Sequence, residues 1–508
     1  MPTRAPITEV APRTWFVKPS WVNVALFETD AGLVMVDAGF AADAATIHAA
    51  VRSVSDAPLH TVIFTHGHVD HAFGLRAFLA AGDRPRIVAH ENVAARFRRY
   101  ARTADYNTRI NATQFRLDPE AVRWPREDEH FFWPDLTYRD SLVLDVGGES
   151  FRLHHARGET DDATWVWVPG RATLACGDFW FNVAPNCGNP QKVQRYPEDW
   201  ADAAEAMAGL GAEILLPGHD TFQTGADHIR RLFTVQAEFL RTIVEQTIAG
   251  LNAGLTHDEI VDRVTIPEAL AAEPSLQPLY DRPEFIARNV IREYGGWWNG
   301  RAADLLPAPA DARAREVAAL AGGVSALVAR ARTLADPASP EHDLRLACHL
   351  AEWAVAAAPD DADARACAAD VFDARAASES SLMGKGIFSA AARAARPPGG
   401  AAPDKRAGRS TWSSGTSSRA TSVSRDPRSS SMRRSAFGDG DGGGPIARTT
   451  TRPSRSWTLA ICHSVPSTQS WATVETRSVV TELVVSRRLA AINGTATTIA
   501  NSNTMSTG

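Results

Sequence analysis

The stretch Thr65-His66-Gly67-His68-Val69-Asp70-His71 sets three histidines and an aspartate within six positions, directly after the apolar run Thr61-Val62-Ile63-Phe64. Imidazole nitrogen and carboxylate oxygen together are donors for zinc, with iron or manganese as further occupants where two ions share a site. The spacing separates the ligands: His66 and His68 turn toward one ion, Asp70 and His71 toward a second. A dinuclear centre needs more donors than one loop supplies. Glu159 in Arg157-Gly158-Glu159-Thr160-Asp161-Asp162, Asp178 after Leu174-Ala175-Cys176-Gly177, and His219 in Pro217-Gly218-His219-Asp220 all follow apolar runs. Each alone reads as a turn residue; in this order they read as one set. Two ions about 3.5–4 Å apart activate a water and stabilise charge on both sides of a displacement, so hydrolysis is the chemistry expected.

Positioning these residues takes strands that end in loops. Strands are expected at 15–17, 22–27, 33–36 and 61–64, with a helix over 41–54 crossing to the metal strand. A short helix over 72–81, a strand at 86–90 and a helix over 91–102 follow, and the alternation makes this an α/β domain. Residues 103–140, rich in aromatic, Asn and Arg residues, read as a long irregular lid. Strands resume at 141–146, 151–155, 164–168 and 172–176, then a helix over 197–209 and a strand over 213–216. Beyond Gly225 the pattern turns to helices, at 226–251, 256–263, 283–293, 310–334, 342–357 and 362–376. From Gly384 apolar periodicity fails, and Ser, Thr, Gly, Pro and Arg dominate a tail with too little apolar surface to offset its ordering entropy.

A chain of 508 residues exceeds one comfortable core. Its charge is unevenly spread: residues 1–383 hold 36 Lys+Arg against 53 Asp+Glu, and 384–508 hold 17 against 6. So acidic a body makes nucleic acid an unexpected partner. Five scattered cysteines without a CxxC pair indicate neither a disulfide framework nor a thiolate zinc site. The first residues lack an apolar signal core and no run of about 18 apolar residues occurs, so a cytoplasmic protein outside the membrane is expected.

The Thr-His-x-His-x-Asp-His motif, with Asp178 and Pro217-Gly218-His219 after it, resembles the metallo-β-lactamase superfamily. An acid at Glu159, where most members offer histidine, and a second at Asp178 resemble its alkyl sulfatase branch. So do Pro283-Glu284-Phe285-Ile286-Ala287-Arg288-Asn289, Tyr294-Gly295-Gly296-Trp297-Trp298-Asn299-Gly300 and Ser378-Glu379-Ser380-Ser381-Leu382-Met383. The resemblance implies an αββα sandwich over residues 10–225, an all-α dimerisation domain over 226–380 and hence a homodimer. The tail, 384–508, has no counterpart in it and reads as disordered or as the product of a reading-frame error. The resemblance further implies two zinc ions per chain, other divalent metals remaining open: one on His66, His68 and Glu159, one on Asp70, His71 and His219, with Asp178 bridging. This branch commonly bridges with glutamate and often carries a secretory signal, and the chain departs on both points.

The reaction so implied is hydrolysis of a small alkyl sulfate ester to alcohol and sulfate, with Asp70 and Asp178 orienting the nucleophile. The alternative is a lactone, thioester or phosphodiester on the same scaffold. A sulfate monoester needs a cationic fork, and the loop holding Asn186, Asn189, Lys192 and Arg195 supplies one. Trp133, Trp180 and Phe181 are the candidates for an apolar mouth, and Asp161 and Asp162 for support behind the ligands.

Overall fold

The computed structural model describes residues 6–396. Seven strands form a first sheet in chain order: β1 (Ile7–Ala11), β2 (Thr14–Val17), β3 (Val24–Thr29), β4 (Gly32–Val36), β5 (Leu59–Ile63), β6 (Arg86–His90) and β7 (Leu136–Tyr138). Pairing is antiparallel through β4 and parallel from β4 to β7. Parallel neighbours need a crossover, and the helix Ala44–Arg52 supplies the one between β4 and β5. The second sheet runs β8 (Ser141–Val146), β9 (Glu149–His155), β10 (Thr164–Val168), β11 (Thr173–Gly177), β12 (Ile214–Pro217) and β13 (Gln223–Thr224) in spatial order; only β11 and β12 pair in parallel.

Alternation along the strands decides the layers. Val34 and Val36 from the first sheet meet Val166 and Val168 from the second in one core. Leu33 and Met35 face the other way, onto Ile47, Val51, Phe78 and Phe97 of helices. Trp165 and Trp167 turn outward onto Trp200, Phe233 and Phe239. The result is an αββα sandwich, as the sequence implied, with an all-α region after it. Strand ends at one edge then carry the chemistry: Asp37 follows β4, His66 to His71 follow β5, Asp178 follows β11 and His219 follows β12.

Three expectations change. The helix Ala226–Asn252, assigned from sequence to the dimerisation domain, buries Ile229, Phe233, Phe239, Leu240 and Ile243 in the core of the second sheet and closes the sandwich. The helix expected over 310–334 is two, Ala310–Ala321 and Val324–Ala335, meeting at 85°. Gly322 and Gly323 take φ of +91° and +119° there, and the next turn cannot continue. The helical region does not stop before Gly384: the helix Leu382–Ala395 puts Ala392 and Ala395 into the same core as Leu327, Ala351 and Phe372. Among the described residues no single helix is long and apolar enough to cross a membrane; the bent pair 310–335 passes that test only when joined, and buries its apolar side in the helical core. The expected basic tail lies, after residue 396, outside the described residues.

Candidate metal centre

Donor atoms of His66, His68, Glu159 and Asp178 lie within 4.8 Å of one another, and so do those of Asp70, His71 and His219. Asp178 joins the groups: its Oδ1 lies 3.2 Å from His71 Nε2 and its Oδ2 lies 3.4 Å from His219 Nε2 and 3.8 Å from His66 Nε2. The four loops therefore bring all seven sequence-derived ligands together. His71 Nε2, Asp178 Oδ1 and Glu159 Oε2 are buried without any hydrogen-bond partner among the described residues. Unpaired buried nitrogen and carboxylate oxygen facing one another are costly alone, and a divalent cation satisfies them.

The electrostatics agree. Burial opposes charge on His71, yet Asp178, Asp37 and Asp70 outweigh it and hold its pKa well above the usual range. His219, also desolvated, is pushed up to about 9 by Asp178. Asp178, although buried, is held well below the carboxylate range by His71 and His219. Positive charge is favoured at this end. His66 falls to about 3 through burial and the neighbouring His71, which keeps its imidazole neutral and available as a donor. Burial lifts Glu159 to about 7 against the pull of Arg195.

A ring of buried groups orients these ligands. Asp37, which the sequence marks only as a strand end, accepts from the Thr65 amide at 2.7 Å, the Thr65 hydroxyl at 2.8 Å and His71 Nδ1 at 2.7 Å. Its signal was positional: an acid at the end of the strand parallel to the metal strand. Asp162 accepts from Arg96 Nε at 2.7 Å and from the Gly67 amide at 3.1 Å, and thereby pins the loop between His66 and His68. His219 Nδ1 pairs with the Trp21 carbonyl at 3.0 Å.

The expected substrate loop divides differently. Arg195 Nη1 and Asn186 Nδ2 both donate to Glu159 Oε1, at 2.5 and 2.6 Å, so these two hold a ligand instead of standing free for an anion. That arrangement leaves Glu159 Oε2 as the outward donor. Asn189 is buried and donates to Gln114 Oε1 at 3.0 Å. Lys192 Nζ donates to the neutral Asn111 Oδ1 at 2.9 Å, and its pKa is pushed down to about 7 by burial and by Arg195. Of the apolar candidates, Phe181 sits edge-on to His219 at 5.9 Å and to Tyr280 at 5.9 Å. Trp180 is buried in the second sheet's core, and Trp133 packs on Phe97 and Phe131. Trp21 is half exposed and edge-on to Phe115, and its carbonyl meets His219 Nδ1. The expected lid opens with the helix Ala104–Phe115 and ends in β7, with irregular chain and two short 3-10 turns between them.

Two family models match the chain: "Metallo-beta-lactamase superfamily" over residues 18–219 and "Alkyl sulfatase dimerisation" over residues 256–397. The chain joins a metallo-β-lactamase domain to an alkyl sulfatase dimerisation domain. It is homologous to alkylsulfatases. A linear primary-alkylsulfatase of Pseudomonas sp. is 26% identical over 362 residues, 67% of this chain and 67% of that protein. An (R)-specific secondary-alkylsulfatase of Pseudomonas sp. is 24% identical over 411 residues, 73% of this chain and 59% of that one. The solved structure of the stereoselective inverting sec-alkylsulfatase Pisa1 from Pseudomonas sp. has the same fold, with a TM-score of 0.67 and 21% identity, covering 77% of this chain and 66% of the other. The chain thus spans about two thirds or less of these relatives' lengths. The metallo-β-lactamase fold implies a divalent metal, and the donor set fits one.

Proposed function

We propose that this chain hydrolyses alkyl sulfate esters at a centre holding two zinc ions, His66, His68 and Glu159 serving one, Asp70, His71 and His219 the other, and Asp178 both. The observation that carries the reading is the meeting of the two donor groups at Asp178, in a chain with an alkyl sulfatase dimerisation domain. The alkylsulfatase relatives support the substrate class, one that acts on linear primary and one on secondary esters by name. When bound, the two ions activate water and stabilise negative charge on both sides of the displacement. The chain's own residues do the rest. Asp70 and Asp178 face each other across His71 and His219 and orient the attacking water. Lys192 is bonded to a neutral amide instead of a carboxylate, and although burial lowers its pKa to about 7, a sulfate group bound beside it favours the charged amine. Phe181, Tyr280 and Trp21 present the apolar side that takes the alkyl group. The helical domain makes the chain a homodimer in the same reading.

Zinc-loaded protein should release sulfate from decyl sulfate at least about tenfold faster than it opens a lactone or cleaves a phosphodiester, a margin well inside what a site built around a recognised polar group provides. Elemental analysis should return two zinc ions per chain. Preference for the lactone or phosphodiester would move the chain to another ester class on the same scaffold.

A further inference from the structure

The helix Leu382–Ala395 does more than close the helical core. Gly386 lies against the C-terminal end of the helix Ala104–Phe115, where a Cβ on it would stand 2.6 Å from the Thr113 carbonyl oxygen and 2.7 Å from that of Gln114. Backbone cannot yield as a flexible side chain does, so only glycine permits this approach. The docked residue, Gln114, is buried. Its Nε2 donates to the Tyr280 hydroxyl at 2.9 Å and its Oε1 accepts from Asn189 Nδ2 at 3.0 Å. Asn189 in turn accepts from the Gln191 amide at 3.0 Å, one residue before Lys192. Three residues up the same helix, Asn111 takes the Lys192 amine. Tyr280 itself is held from the same far segment, because the Leu382 amide donates to the Leu279 carbonyl at 2.9 Å and Glu379 accepts from Arg282 at 2.8 Å. Residues 379–386 therefore brace both sides of the wall that faces the metal centre.

We infer that Gly386 is a positioning residue: by seating the helix Ala104–Phe115 through Gln114 and, beyond it, Asn189, it sets where Lys192 and Tyr280 meet the substrate. This rests on the alkyl sulfatase reading for its substrate and on the contacts alone for its mechanics. The brace lies outside both metal shells, so it governs substrate binding and not ligand geometry.

The test uses full-length, zinc-loaded protein and decyl sulfate. Gly386→Ala should raise KM about tenfold with kcat within about twofold, the pattern of lost binding that ground state and transition state share. Zinc stoichiometry should stay at the wild-type value. Gln114→Ala should do the same, and the double variant should be no worse than Gln114→Ala alone within about twofold, because both changes break one linkage. Multiplying effects in the double variant, an unchanged KM in Gly386→Ala, or loss of zinc alongside the KM change would overturn the inference. If Gly386→Ala does not fold, Gln114→Ala decides by the same KM and kcat split. If wild-type protein hydrolyses no sulfate ester, the proposed function fails separately, and hydrogen exchange judges the brace. Faster exchange over 104–115 and 186–194, with 59–63 unchanged, upholds it, and unchanged exchange over the first two segments refutes it.

Discussion

At the residue scale, the centre is organised from behind. His71 can give Nε2 to a metal only while Nδ1 keeps its proton, and Asp37 holds that proton at 2.7 Å. Asp37→Asn keeps the shape and presents an amide where a carboxylate stood. In the proposed two-zinc centre, affinity for the ion on Asp70, His71 and His219 should fall about 10–100-fold, the usual cost of losing such a partner, in a zinc titration against a competing chelator. Unchanged affinity would mean that the His71 tautomer is fixed by other groups. The seven candidate ligands were legible in the sequence as one set, because each is a chemically marked residue after an apolar run, and the fold brings them together. Asp37 was not, since one acid after a strand is an ordinary turn signal until the neighbouring strand is known. Arg195 and Asn186 were legible as polar groups near the centre, but their side in the arrangement was not. Whether a guanidinium meets an anion or a ligand carboxylate depends on which loop folds over it, and here Glu159 lies within reach.

At the element scale, the metal loop is fastened to the helix Asn92–Arg102 by a buried ion pair. Arg96 and Asp162 have side chains 2% and 0% exposed, and Asp162 also takes the Gly67 amide. Arg96→Met strands a buried carboxylate and should cost about 3–5 kcal/mol in denaturant unfolding. Arg96→Met with Asp162→Leu should regain most of that stability, since two apolar groups can replace a buried pair, yet leave zinc affinity low because the Gly67 amide has lost its acceptor. Recovery of both would show that the pair serves the fold alone. Ten of the thirteen strands were legible as short apolar runs between turn residues and most helices from a period of 3.6, whereas β1, β7 and β13 were not. The helix Ala104–Phe115 was not, because its inner face carries Asn107 and Gln114 and turns toward the functional wall, so no apolar stripe marks it. Its polar residues also hydrogen-bond along the helix, Asn107 to the Thr103 carbonyl and Asn111 to that of Asn107. The end of the helical region was misplaced for a related reason: glycines at 384 and 386, read as the start of a structureless tail, are there for close packing.

At the scale of the whole molecule, the described chain leaves one apolar stretch uncovered. Between the helices Pro283–Tyr294 and Ala310–Ala321, Trp297 is 76% and Leu306 91% exposed, with Tyr294, Trp298 and Leu305 also exposed. Single exposed apolar residues are common on soluble proteins, but five within thirteen positions make a patch that a partner surface would cover. The stretch lies inside the region matched by the dimerisation domain, so a second copy of the chain is the occupant expected. Aromatic residues in such patches carry much of the binding energy, about 2 kcal/mol or more each when they anchor an interface. Trp297→Asp together with Leu306→Asp should therefore weaken self-association at least about 100-fold, read by analytical ultracentrifugation across a dilution series. Zinc stoichiometry should be unaffected, because none of the ligands lies in residues 294–306. A dimer that survives dilution as well as the wild type does would place the interface elsewhere on the helical domain.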